Sequence, residues 1–134
     1  MPERRATIAP STDVDGVQRL DLADGRRLAY ELVGPTARNE NDSGEGAVSS
    51  DPAAPVVLVV HGTPDSRLAT PPDPAVPGVC QVLIDRPGFG DSDVDPGATP
   101  ASVADDLAEL CGHLDVERVG VMAWSAGALF GLTL

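Results

Sequence analysis

The chain has 134 residues, enough for one domain with a hydrophobic core. Its composition, with 42% hydrophobic and 22% charged residues, is that of a globular protein. It carries 21 acidic residues and 9 basic residues, a net charge of −12, and every basic residue is arginine. Phosphate backbones and anionic lipid headgroups repel such a chain, so we expect neither a nucleic-acid partner nor a membrane partner.

The N-terminus and the cysteines bear on where the protein works. Residues 1–5 lead into polar sequence without the apolar stretch of a secretory signal. Cys80 and Cys111 lie in apolar stretches without the CxxC spacing of metal or redox sites, which indicates two reduced thiols. We therefore expect a cytoplasmic protein without a metal site.

A tail and a β-hairpin are predicted first along the chain. Residues 1–16 show no hydrophobic period and are expected to form a mobile N-terminal tail. Residues 17–22 alternate as a strand, and Asp24-Gly25 supplies the chemistry of a tight turn. The returning strand places Leu28, Tyr30 and Leu32 on one face.

The hairpin is followed by a stretch that has almost nothing to bury. Residues 35–54 are rich in Gly, Pro, Ser, Asn and acidic residues, which predicts a disordered insertion between two strands rather than a domain linker. The domain itself is therefore expected to span residues 17–134.

Three apolar runs and one amphipathic segment make up the remainder. The runs at residues 56–60, 79–84 and 119–123 predict strands covered on both faces. Between the last two, Thr99 and Pro100 are suited to begin a helix. The helix is expected to bury Val103, Leu107, Leu110 and Leu114 and to expose Asp105, Asp106 and Glu109. Because buried strands joined through a helix need a crossover, the sequence predicts a parallel sheet and the α/β class.

The segment Ala123-Trp124-Ser125-Ala126-Gly127 stands at the end of the third run and opens a helical stretch. Small residues two positions before and after the serine let the chain fold back sharply, as in the nucleophile elbow of the GxSxG type. Such a turn exposes the serine hydroxyl and directs the next backbone N–H toward a developing oxyanion. Ala123 replaces the usual first glycine.

Two loops after the earlier strands complete the pattern. His61-Gly62-Thr63-Pro64 follows the first run, where the glycine allows a backbone N–H to face the serine. Asp85-Arg86-Pro87-Gly88-Phe89-Gly90-Asp91-Ser92 follows the second. A dinucleotide-binding loop is excluded, because the third glycine of that fingerprint would fall on Asp93 and the acidic residues would repel pyrophosphate.

These motifs resemble the α/β-hydrolase fold superfamily, in particular its serine-nucleophile esterases and haloperoxidase-like members. Both loops and the elbow occur in the family's order, each after a strand, and residues 27–34 are similar to its second strand. The resemblance covers residues 17–134 apart from the insertion. It implies a partial α/β-hydrolase fold, with a mostly parallel sheet, an N-terminal antiparallel hairpin and the C-terminal strands missing.

The resemblance also implies a role for each candidate residue. Ser125 would be the nucleophile, and the backbone N–H groups of Thr63 and Ala126 would form the oxyanion hole. Asp85 and Asp91 would hold the loop after their strand. The residues expected to shape the site are His61, Gly62, Trp124 and Gly127. No cofactor is expected.

The catalytic triad is incomplete in this sequence. In the family the acid and the histidine follow the elbow, whereas nine residues follow Ser125 here, and the two histidines are His61 and His113. We therefore expect an incomplete chain, whose parent cleaves an ester, amide or related bond of a small molecule through an acyl-enzyme. The alternative is a catalytically inactive remnant or binding module. Epoxide and haloalkane hydrolases, which use an aspartate at the elbow, and proline iminopeptidases fit less well. The sequence carries no signal for the oligomeric state.

Overall fold

A computed structural model of the chain describes residues 16–33, 54–69 and 78–134. The tail predicted for residues 1–16 and the insertion predicted for residues 35–54 lie outside these ranges, except for the last residue of each, and stay predictions. The described elements are β1 Val17–Asp21, β2 Arg27–Val33, β3 Val56–Val60, a 3-10 helix at Arg67–Ala69, β4 Cys80–Ile84, α1 Pro100–His113, β5 Val119–Ala123 and α2 Gly127–Gly131.

The five strands form one mixed sheet in the order β1-β2-β4-β3-β5. The hairpin β1–β2 is antiparallel, and β2 also pairs antiparallel with β4. β3 pairs parallel with both β4 and β5. The α/β class and the partial hydrolase-type sheet are confirmed. Antiparallel pairing extends further than the hairpin alone, because β2 returns alongside β4.

The core lies between the sheet and α1. Alternate positions of the strands point to the same face of a sheet, and here they meet the apolar stripe of the helix. The cluster contains Leu20, Leu22, Leu28, Tyr30, Leu58, Val60, Val82, Ile84, Val103, Leu107 and Leu110. Each such side chain contributes about 1.5–3 kcal/mol when fully buried, so this layer holds α1 against the strands.

The helix α1 begins as predicted. The Thr99 hydroxyl accepts a hydrogen bond from the Ser102 N–H (3.1 Å), and the Ser102 hydroxyl accepts one from the Thr99 N–H (2.9 Å). This reciprocal capping box satisfies two donors that the first turn would otherwise leave open. Pro100 occupies the first turn, where its missing N–H costs nothing.

The prediction that Asp106 faces solvent is wrong. Its side chain is buried, and the guanidinium of Arg26 donates to both of its carboxylate oxygens, at 2.9 and 2.7 Å. Asp106 lies three residues after Val103 and four before Leu110, which places it on the buried face of the helix. The arginine from the hairpin turn supplies the charge that lets a carboxylate occupy that face.

β5 is less buried than the covered strand that its apolar run predicts, and α2 beside it is also partly exposed. Among the described residues, β5 pairs with β3 alone and forms an edge of the sheet. Val121 and Met122 are 41% and 43% exposed, and Leu129 on α2 is 61% exposed. The apolar character of both elements is therefore not matched by burial within the described chain. Neither α1 nor α2 is long and apolar enough to cross a membrane, a finding limited to the described residues.

Candidate active site

Three loops meet at one edge of the sheet. β3, β4 and β5 are parallel, so their carboxyl ends lie on the same side, where open α/β sheets place ligands. His61 follows β3, Asp85 follows β4, and Trp124-Ser125 follows β5. All the candidate residues singled out in the sequence are attached to this edge.

Ser125 occupies a sharp turn between β5 and α2. Its φ is 53°, in the left-handed region, which costs a residue with a side chain about 1–2 kcal/mol. The Gly127 N–H donates to the Trp124 carbonyl (2.9 Å) and the Ala128 N–H to the Ser125 carbonyl (3.1 Å), so the chain enters α2 at once. The serine itself is exposed. This is the backbone conformation that the strand–serine–helix pattern predicts.

Two glycines allow the elbow to approach the loop after β3. A Cβ on Gly127 would lie 2.5 Å from the carbonyl oxygens of both Val60 and His61. A Cβ on Gly62 would lie 3.1 Å from the Cβ of Ser125 and 3.3 Å from the Trp124 ring. Any side chain at Gly127 would push the elbow away from the end of β3, so this glycine is a packing requirement.

Ala123 fits where the motif usually has glycine because another glycine faces it. A Cβ added to Gly131 would lie 3.2 Å from the Cβ of Ala123 and 2.9 Å from a methyl of Val121. The bare backbone of Gly131 on α2 therefore leaves room for the alanine methyl on β5. Gly131 on α2 thus compensates for the alanine at position 123, where the motif usually has glycine.

Two backbone N–H groups are available beside the serine. Among the described residues, neither the Thr63 N–H nor the Ala126 N–H donates to a protein acceptor. Thr63 is exposed on the loop after β3, and Ala126 is the residue before α2. Unpaired N–H groups on two loops that pack together are the donors that an oxyanion requires.

His61 is buried and engaged on both ring nitrogens. Its Nδ1 lies 2.7 Å from the Gly62 carbonyl oxygen, and its Nε2 accepts a hydrogen bond from the Arg86 N–H at 3.0 Å. This network places the ring proton on Nδ1. Burial, assisted by the charge of Arg86, lowers the pKa of His61, so the ring is neutral. Both ring nitrogens are thus occupied, so neither is free to take a proton from Ser125, and a role of His61 in shaping the site stays a prediction.

Asp85 binds the loop after β4 through its side chain, the role that the resemblance implies. Its side chain is fully buried and accepts hydrogen bonds from the N–H groups of Arg67 (2.7 Å) and Asp91 (3.0 Å). The guanidinium of Arg67 binds both Asp85 and Asp91. Gly90 packs directly over the Asp85 carboxylate with a φ of 51°, where a side chain has no space.

Sequence reasoning missed Arg86, which braces the loop after β3. Its side chain is 5% exposed. Nε donates to the His61 carbonyl (3.0 Å), and Nη2 donates to the Gly62 carbonyl (2.8 Å) and to the Thr63 hydroxyl (2.6 Å). The only sequence signal of this role is an arginine in the loop after a buried strand. That signal does not indicate which residues the arginine contacts.

Two aromatic rings enclose the same guanidinium. The carbon at its centre lies 4.6 Å from the ring centroids of both Phe89 and Phe130. Phe89 belongs to the loop after β4 and also contacts the His61 ring edge-on, at 5.3 Å between centroids. Phe130 belongs to α2, directly after the elbow. Arg86 therefore contacts all three loops of the candidate site.

Other reactive side chains lie elsewhere. His113 ends α1 and precedes β5, so the length of that strand, about 16 Å, separates it from the elbow. Cys80 and Cys111 are free, and burial raises the pKa of both thiols, which makes them poor nucleophiles. Among residues 16–33, 54–69 and 78–134, no group of three His, Cys, Asp or Glu side chains is placed to hold a metal ion.

A groove of about 710 Å³ lies at the opposite end of β3 and β5. Residues 54–56 and 115–120 line it, where the two strands begin. It contains neither the serine nor the unpaired N–H groups, so its size does not make it the reaction site.

The parallel strands, the left-handed serine at a strand-to-helix turn and the facing glycine loop define a class of protein. A family model described as the alpha/beta hydrolase fold matches residues 55–134. The chain belongs to the α/β-hydrolase fold family. A comparison with curated proteins gives no match.

Solved structures of this fold align with most of the chain. A hydrolase from Pseudomonas aeruginosa PA01 has 22% identity and a TM-score of 0.63, with 89% of this chain and 40% of that chain covered. A variant of a proposed epoxide hydrolase from Pseudomonas aeruginosa has 29% identity, a TM-score of 0.63 and coverages of 92% and 38%. An alpha/beta hydrolase fold protein from Nakamurella multipartita has 27% identity, a TM-score of 0.58 and coverages of 85% and 34%. The chain thus spans about two fifths or less of these structures.

Proposed function

We propose that this chain is the nucleophile-bearing part of a serine hydrolase, which cleaves an ester, amide or related bond of a small molecule through an acyl-enzyme at Ser125. The observation that carries the proposal is the elbow: an exposed serine with a φ of 53°, packed against Gly62. The unpaired N–H groups of Thr63 and Ala126 support it.

In the proposed reaction, the Ser125 hydroxyl oxygen attacks the carbonyl carbon of the substrate. The carbonyl oxygen becomes an oxyanion and accepts hydrogen bonds from the N–H groups of Thr63 and Ala126. Losing one such donor typically costs about 10²- to 10³-fold in kcat. The leaving group departs with a proton, and water then releases the acyl group from the serine.

The proton of Ser125 needs a base, and neither histidine of the described residues is placed to serve as one. Both ring nitrogens of His61 are hydrogen-bonded, and His113 lies at the far end of β5. The proposal therefore requires a histidine, and a carboxylate to orient it, from outside the sequence described here. Loss of the triad histidine costs on the order of 10⁶-fold in kcat in subtilisin, so the chain alone should be close to inert.

The residue at the elbow bears on the type of bond cleaved. Some structural neighbours are named as proposed epoxide hydrolases, a class for which the resemblance implies an aspartate at the elbow. A serine at that position favours acyl transfer, because a serine forms an ester intermediate with a carbonyl substrate. Haloperoxidase-like members of the fold use a serine at the same position, so the proposal includes them. The identity of the acyl group is not determined by the residues described.

The second candidate is a catalytically inactive remnant or binding module of this fold. The observation that favours it is that, among the described residues, neither histidine offers a ring nitrogen to Ser125: both nitrogens of His61 are hydrogen-bonded, and His113 lies at the far end of β5. In that case the elbow would be retained for packing, since Gly127 already joins α2 to the end of β3.

The deciding experiment is labelling with a serine-reactive fluorophosphonate. It compares the 134-residue chain with a chain extended by its downstream reading frame, each as wild type, Ser125→Ala and Ser102→Ala. Ser102 lies at the start of α1, away from the elbow, and serves as the control. We expect labelling of the extended chain that Ser125→Ala abolishes and Ser102→Ala leaves intact. Absence of labelling in a folded, extended wild type would favour the inactive module.

A further inference from the structure

Arg86 is a buried cation without a carboxylate partner among the described residues. Among the described residues, no acidic side chain lies within salt-bridge distance of it, whereas Arg26 and Arg67 each bind at least two carboxylates. Desolvating an unpaired charge costs several kcal/mol, so the fold alone gives little reason to keep a cation there. Its hydrogen bonds go instead to two carbonyl oxygens and one hydroxyl of the loop after β3.

The contacts of Arg86 with the Gly62 carbonyl also affect the neighbouring Thr63 N–H. The Gly62 carbonyl and the Thr63 N–H belong to one peptide unit, and in a trans peptide they point in opposite directions. The carbonyl oxygen accepts from both His61 Nδ1 (2.7 Å) and Arg86 Nη2 (2.8 Å), which occupies both of its lone pairs. The N–H is thereby held on the opposite face of the loop, where it has no protein acceptor.

The same contacts strengthen the Thr63 N–H as a donor. A cation at the carbonyl end of a peptide draws electron density toward the oxygen, and hydrogen bonds in series polarise one another. Inside a protein this effect is larger than in water, because the local dielectric is low. Arg86 thus acts on the N–H through the peptide that carries it.

The cation also connects the two halves of the site. Phe130 stacks on the guanidinium from α2, and the turn that leads into α2 contains Ala126. The loop that carries Thr63 is bonded to the same guanidinium. One side chain therefore fixes the loop of the first donor relative to the helix that follows the second.

We propose that Arg86 is a positioning residue for the oxyanion hole: it fixes and polarises the Gly62–Thr63 peptide and holds the loop of Thr63 in register with the elbow. This inference rests on the proposed function of Ser125. It assigns Arg86 no contact with substrate.

The test uses the protein extended by its downstream reading frame, with a p-nitrophenyl ester as probe substrate. Arg86→Met keeps an apolar side chain beside the rings of Phe89 and Phe130 but removes the charge and the hydrogen-bond donors. Arg86→Lys keeps the charge but lacks the planar guanidinium with its several donors. We expect Arg86→Met to lower kcat about 10- to 100-fold, less than deletion of an oxyanion donor, with KM changed by less than about threefold. Arg86→Lys should recover part of the loss.

A milder variant protects the test against misfolding. Thr63→Val removes the hydroxyl that Arg86 binds at an exposed position, and we expect a kcat loss of about two- to tenfold, the effect of one hydrogen bond. Arg26→Lys is the control, since Arg26 is a partly buried arginine bound to Asp106 on α1. It should lower stability and leave kcat unchanged. If Arg86→Met folds and keeps wild-type kcat, the inference is overturned.

A spectroscopic readout separates this inference from the proposed function. In protein labelled with nitrogen-15 at threonine, the Thr63 amide signal should move in Arg86→Met while the Thr99 signal stays. A Thr63 signal that does not move contradicts the positioning role, whether or not the wild type turns over the ester. If the wild type neither reacts with the ester nor labels at Ser125, the proposed hydrolase function is overturned. A Thr63 signal that still moves in Arg86→Met would then support the contact between Arg86 and the Gly62–Thr63 peptide.

Discussion

At the residue scale, Gly127 is required for close packing, whereas Gly112 is an ordinary helical glycine. Gly127→Ala would place a methyl 2.5 Å from two carbonyl oxygens at the end of β3, so we expect a loss of about 1–3 kcal/mol in the free energy of unfolding. Gly112→Ala is the matched control, because nothing lies within 4 Å of its Cβ position on α1. There alanine should stabilise by about 0.5–1 kcal/mol. Urea unfolding of both variants decides, and equal effects would contradict the close approach.

His61 gives a pH dependence whose sign follows from its burial. Burial lowers its pKa below the ordinary value of 6.5, so below that pH the unfolded chain takes up a proton that the folded ring resists. Stability is therefore lost as the pH falls from about 6.5 toward the folded pKa, at no more than about 1.4 kcal/mol per pH unit. His61→Gln removes this contribution. Urea unfolding between pH 8 and pH 5 should show a shallower decline for the variant, and parallel curves would rule out a neutral buried ring.

The candidate site could be predicted where its signal is local. Ser125, Gly127 and Gly62 are recognisable because a sharp turn demands small residues at fixed offsets from a strand. Arg86 was not recognisable, since its partners lie some 25 residues earlier on another loop and 44 residues later on α2. A sequence pattern states which residue follows a strand and does not state which neighbouring loop its side chain reaches.

At the scale of elements, a charged pair helps to attach α1 to the hairpin, alongside the Ala23 N–H that donates to Glu109 (2.8 Å) and the shared apolar core. Asp106→Ala would leave the partly buried Arg26 guanidinium without its bidentate partner, and we expect a loss of about 1.5–3 kcal/mol. Asp105→Ala changes the exposed neighbour and should stay within about 0.5 kcal/mol of wild type. Thermal denaturation of the two variants measures the difference. If both behave alike, the pair contributes nothing to holding the helix.

The elements themselves were predicted well where one rule dominates. β3 begins and ends at the predicted residues, 56 and 60, because five consecutive branched or aliphatic residues fit a strand beneath a helix. α1 begins after Thr99, because capping chemistry is local. Asp106 was placed wrongly, since its partner Arg26 is 80 residues away in sequence. The pairing of β2 with β4 also depends on contacts distant in sequence.

At the scale of the whole molecule, β1 and β5 are the two edge strands of the described sheet. The hairpin occupies one end of the strand order, whereas β5 ends the other with exposed Val121 and Met122. The three solved structures reported above are more than twice as long as this chain, which covers 40%, 38% and 34% of them. An edge strand next to an apolar helix is a surface on which chains associate. The behaviour of the 134-residue chain in solution therefore depends on this edge.

We expect the 134-residue chain to self-associate through β5 and α2 as its concentration rises. Met122→Lys combined with Leu129→Lys places charge on both elements and should shift the chain toward monomer, because charges on an edge strand oppose pairing. Leu68→Lys is the control, as Leu68 is 73% exposed on the 3-10 helix, away from β5. Sedimentation velocity at increasing concentration measures the effect. If the wild type stays monomeric, or if Leu68→Lys reduces association equally, the open edge does not direct it.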